Sequence, residues 1–70
     1  MTLPRQRLVE REMVERHVRD GEAHVARQHE VVVRLPSSGE VATMARVVLA
    51  EFEDTLSLHC VHRARLQKLT

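Results

Sequence analysis

Leu35-Pro36-Ser37-Ser38-Gly39-Glu40 decides how this chain folds, because it is the one clear break in a sequence otherwise short of punctuation. Pro36 has no N–H to give a helix and disfavours helical geometry in Leu35. Gly39 can adopt the left-handed backbone on which helices end. Ser37 with Glu40 three residues later also fits a capping box, so helix 2 can be read as opening at Ser38, or at Val41 if Gly39 belongs to the end of helix 1. Either way the break divides the seventy residues into two comparable halves.

Outward from the break toward the N-terminus, Leu35, Val32, Val25, Gly21, Val18 and Val14 recur at spacings of three and four or their sums, with Gln28 filling the missing step. That is the period of a helix with one buried stripe. His17, His24 and Val31 lie one position to one side of it, and Glu15, Glu22 and His29 one position to the other, so the apolar face is narrow. Glu12 with Arg16 and Glu15 with Arg19 make i,i+4 pairs in the favourable order, each contributing ~0.2–0.5 kcal/mol. Val31, Val32 and Val33 are a β-branched run with some strand preference. The helical periodicity around them and the lack of a second strand signal place them in helix.

Toward the C-terminus, Val41, Ala45, Val48, Leu49, Phe52, Leu56, His59 and Leu66 trace a second, broader stripe. The expected fold is therefore all-α, with helix 1 over about 5–35, a turn at about 36–40, and helix 2 over about 38–67. The two helices form an antiparallel hairpin that dimerises into a four-helix bundle with crossing angles near ~20°. Gly21 would let the helices approach closely, at ~1 kcal/mol relative to alanine.

The dimer follows from how little one copy can bury. Valine and alanine dominate the apolar residues, Phe52 is the only aromatic, and Ile, Trp and Tyr do not occur. Small scaffolds compensate with disulfides, a metal or oligomerisation, and the single Cys60 makes no intrachain bridge. The packing interface is expected to run through Val14, Val18, Val25, Val32, Val48, Leu49, Phe52 and Leu56.

Three stretches resemble a group of short bacterial helical-hairpin proteins with no established activity: His17-Val18-x-x-Gly21-Glu22-x-His24-Val25-Ala26-Arg27-Gln28, Ala45-Arg46-x-Val48-Leu49, and Phe52-Glu53 followed by Leu58-His59. The likeness covers most of residues 10 to 65 and implies two helices joined near Gly39. It implies no activity for any residue. Pro36 departs from the polar helix formers those proteins hold there.

Eleven Lys and Arg against ten Asp and Glu leave a net charge of +1, which gives no instruction toward nucleic acid or membranes. No secretory signal is visible, and no apolar run approaches the ~20 residues of a membrane span. With a lone thiol, a cytoplasmic setting is expected. No nucleophile with a base, no paired carboxylates and no glycine-rich phosphate loop is recognisable, so the expectation is a non-catalytic protein without a cofactor, acting as a homodimer and open to a further protein partner.

Five histidines provide the alternative. In an antiparallel hairpin turning near Ser37 and Ser38, facing residue numbers add to about 75. His17 then falls level with His59, and two copies could gather four imidazoles around a metal or haem, with Asp20 or Glu22 orienting a ring. No His-x-x-x-His or Glu-x-x-His pair supports this on the apolar face, and seam residues bonded to Glu or backbone are the plainer reading. His59, Cys60 and His62 resemble a metal tract in composition, but Cys60 projects about 100° from His59. A second alternative is RNA binding. The hairpin should bring Arg5, Arg7 and Arg11 toward Arg63, Arg65 and Lys68, but Glu10 and Glu12 dilute that patch and no aromatic is available to stack on bases. Nucleic acid is thus not the expected partner.

Overall fold

The computed structural model describes residues 3–68, as two α-helices: α1, Leu3–Arg34, and α2, Glu40–Lys68. No strand occurs among the described residues. Val31, Val32 and Val33 are helical, as their setting between periodic segments required. The β-branched penalty is small per residue, and the helix on either side overrides it.

The last turn of α1 tightens before it stops. Leu35 N–H is shared between the carbonyls of Val31 at 3.2 Å and Val32 at 3.3 Å, a bifurcated bond common at helix ends. Pro36 then prevents continuation. Gly39 takes φ +110°, a region that costs other residues strain but not glycine. Its carbonyl accepts from both Thr43 N–H at 3.0 Å and Thr43 Oγ1 at 2.9 Å, which opens the hydrogen-bond ladder of α2. Gly39 is therefore the N-cap residue before Glu40, and α2 does not begin at Ser38. Arg46 reaches back to donate Nη1 to the Ser37 carbonyl at 3.3 Å, tying the turn to the second turn of α2. Charges suit the helix dipole at three ends: Arg34 lies in the last turn of α1, Glu40 in the first turn of α2, and Arg65 and Lys68 in its last.

The helices lie side by side in a rod whose Cα atoms span 56 × 14 × 13 Å. Facing residues rise in number on α1 as they fall on α2. Glu15 meets Arg63, His17 meets His59, Gly21 meets Leu56, His24 meets Phe52, and Gln28 meets Ala45. Gly21 marks the close approach, since a Cβ there would stand 3.1 Å from Leu56 Cδ1 and 3.8 Å from Leu56 Cα.

The seam of α1 is the stripe Val14, Val18, Gly21, Val25, Gln28, Val32 and Leu35, every member of which is buried or half-buried. On α2 the seam runs Ala42, Ala45, Leu49, Phe52, Leu56, His59, Arg63 and Leu66, an unbroken alternation of three and four. This corrects the expected stripe: Ala42 takes the place of Val41, Val48 falls to one flank, and Arg63 fills the step between His59 and Leu66. Val41 is 68% exposed, and Ala42 beside it, 3% exposed, takes the inward position. Among the described residues the buried apolar ones are Val14, Val18, Ala42, Ala45 and Leu66, a core of valine, alanine and one leucine.

Candidate functional site

The seam divides the rod into two long flanks of different chemistry. On one flank a cleft is lined by Glu10, Met13, Val14, His17, His59 and His62. In it the rings of His17 and His59 lie with centroids 4.8 Å apart and planes inclined at 44°. Further toward the turn, His24 stacks on Phe52, centroids 5.5 Å apart and planes at 25°. Residues seven apart on a helix share a side. The row of α1 beside the seam on this flank is thus Glu10, His17, His24 and Val31, and the matching row of α2 is Val41, Val48, Thr55 and His62. Glu10, at one end, is the only carboxylate in the two rows, and neither holds Lys or Arg. Outside them run Met13, Asp20, Arg27 and Arg34 on α1, and Met44, Glu51, Leu58 and Arg65 on α2.

The other flank is ionic. Its rows read Leu8, Glu15, Glu22 and His29 on α1 and Arg46, Glu53, Cys60 and Gln67 on α2. Arg63 lays its stem across the seam and holds its Nε 3.8 Å from Glu15 Oε1. At that distance, with the Arg63 side chain about one-third and that of Glu15 about one-half exposed, the pair contributes little beyond direction. Cys60 is half-buried on this side and forms no disulfide. A second depression follows α1 through Leu8, Arg11, Glu12, Glu15, Arg16 and Arg19, where charges of both signs alternate and no nucleophile stands beside a base.

The expected interface residues divide in two. Val14 and Val18 are already enclosed within one chain, each 2% exposed, and hold helix to helix. Val25, Val32, Val48, Leu49, Phe52 and Leu56 are half-buried and keep part of their surface open. The candidate metal ligands His17 and His59 do come together, one exposed and one half-buried. No group of three His, Cys, Asp or Glu able to hold a metal ion occurs among the described residues.

Outside the seam, large apolar side chains remain in water. Leu8, Val9, Met13, Val31, Val33, Val41, Met44, Val47, Leu58 and Val61 are 42–71% exposed. Five of them, Met13, Val31, Val41, Met44 and Leu58, fall in the rows of the histidine-bearing flank. No helix among the described residues is long and apolar enough to cross a membrane.

Comparison with known proteins finds no matching family model, no matching curated protein and no matching solved structure.

The asymmetry of the flanks escaped the sequence reading, although its signal is present. His17, His24 and Val31 stand out as neighbours of the first stripe, but which side of α2 they meet depends on the inward turn of Ala42 in place of Val41.

Proposed function

We propose that this chain is a non-catalytic protein-interaction module of the cytoplasm: an antiparallel helical hairpin that pairs with a second copy to form a four-helix bundle. The observation that carries the reading is the imbalance between five buried apolar side chains and ten large apolar ones left 42–71% exposed among the described residues. Burial of apolar surface is the main favourable contribution to folding, and isolated small domains are marginal even with ordinary cores. A hairpin with valine and alanine inside and leucine, methionine and valine outside gains more by association than by standing alone. The resemblance to short bacterial helical hairpins supports the same shape, and a lone Cys60 with no disulfide partner suits a reducing compartment. The test is the native mass at micromolar concentration, by sedimentation or light scattering. The reading expects twice the chain mass of 8.1 kDa. A folded, ligand-free particle of 8.1 kDa that melts at high temperature would overturn it.

The contact between His17 and His59 favours one other reading, a metal- or haem-binding bundle. One chain supplies two adjacent imidazoles, and a second copy would supply the rest of the ligand set. Metal analysis of protein purified without a histidine tag separates the readings. A stoichiometric metal or haem lost in His59→Ala supports the site, and its absence from the parent protein removes it.

A further inference from the structure

We infer that the second copy docks on the histidine-bearing flank, so that the rows of Val31 and Val41 face their equivalents across the interface. The inference rests on the dimer proposed above and says where that dimer forms. Three observations carry it.

The first is chemistry. The two inner rows of this flank hold a single carboxylate, Glu10, at one end, and present Val31, Val41 and Val48 with imidazoles. The opposite flank places Glu15, Glu22, Arg46 and Glu53 in the same positions. Burying that ionic flank would strip water from charges with no assured partners, which is costly, whereas the valines of the histidine-bearing flank gain by leaving water.

Charge distribution is the second. Outside the inner rows, Asp20 and Glu51 stand with Arg27, Arg34 and Arg65. An apolar centre with a polar rim is the ordinary anatomy of an interface. A rim holding both signs also suits a copy of itself, where a rim of one sign would repel it.

The third is size. A flank 56 Å long and 14 Å wide offers roughly the ~800 Å² that each partner contributes to a standard interface. Met44 and Leu58, 64% and 71% exposed, lie two heptads apart on that strip, one beside the turn and one near its middle, and would both be covered.

The experiment places one carboxylate at a time on each flank and reads the dimer dissociation constant by sedimentation, with helix content followed by circular dichroism. Met44→Glu and Leu58→Glu alter the proposed face. Leu8→Glu and Val33→Glu alter equally exposed apolar residues elsewhere, 58% and 68% exposed. Dissociation is expected to weaken at least tenfold in the first pair and less than about threefold in the second, a tenfold change being ~1.4 kcal/mol. If the parent dimerises and Met44→Glu and Leu58→Glu leave its constant unchanged, or if the Leu8 and Val33 variants do the damage, the docking face is wrong while the dimer stands. A monomeric parent would instead overturn the dimer itself, and the docking face with it. All four positions are exposed in the single chain, so loss of helix content in the first pair alone at dissociating concentration would also count against the placement.

Discussion

The side-chain amide of Gln28 donates to the main-chain carbonyl of Ala45 at 2.9 Å, crossing from one helix to the other at the only polar step in the stripe of α1. A typical hydrogen bond contributes ~1 kcal/mol net. Gln28→Ala should lower stability by about that amount, with some further loss from the removed stem. Gln28→Leu should be nearly neutral, because Ala45 remains in the helical ladder and leucine fills the seam. Urea unfolding of the three proteins checks this, and equal losses in both variants, which share only the loss of the bond, would mean that leucine does not fill the seam.

At Gly21, two effects oppose each other. Alanine is favoured in a helix by ~1 kcal/mol, but its Cβ would press on Leu56 Cδ1 at 3.1 Å. Gly21→Ala should therefore stay within about 1 kcal/mol of the parent. Gly21→Val adds bulk that the Leu56 side chain cannot yield to, and should lose about 1–3 kcal/mol. Adding Leu56→Ala to the valine variant should recover part of that loss, a coupling that thermal unfolding of the double-mutant cycle measures.

Phe52 is half-buried in a single chain and stacks on His24. Phe52→Ala costs about 3–5 kcal/mol where the ring is fully enclosed, which requires the second copy. The loss should consequently reach that range at concentrations where the dimer forms and fall well below it on dilution. Unfolding midpoints at two protein concentrations decide the matter, and a small loss independent of concentration would place the ring outside any interface.

Gly39 has open space where a Cβ would be, so its only constraint is backbone. With φ at +110°, Gly39→Ala should cost about 1–3 kcal/mol through strain alone. The matching control, Ser38→Ala, removes no bond described for the turn and should change little. Comparable losses in both would show that the turn, and not its dihedral, is at fault.

Much of the fold was legible because its signals are local and strong. Pro36 and Gly39 mark the break by their backbone chemistry, and the seam of α1 follows an unmixed three-and-four spacing from Val14 to Leu35. The stripe of α2 was harder to place. From Ala45, a step back of four reaches Val41 and a step of three reaches Ala42, and bulk favours valine. The structure turns Ala42 inward, 3% exposed, and leaves Val41 68% exposed, a choice set by how the two helices face each other and not by bulk. Arg63 was passed over for a different reason. A charged residue reads as surface, yet its methylene stem covers the seam while its head turns to Glu15. The pairing of His17 with His59 could be worked out from the position of the turn, whereas the contrast between flanks needed the facing sides of both helices at once.

The notch at Gly21 and the hook at Gln28 give the rod a fixed alignment, and with it a rule for changing its length. A seven-residue insertion in α1 between Gln28 and the turn would carry both landmarks one heptad away from their partners, unless α2 gained the same length between the turn and Ala45. Natural variants of this molecule that grow or shrink should do so by matched blocks on the two arms, and a length change confined to one arm should unseat the pair.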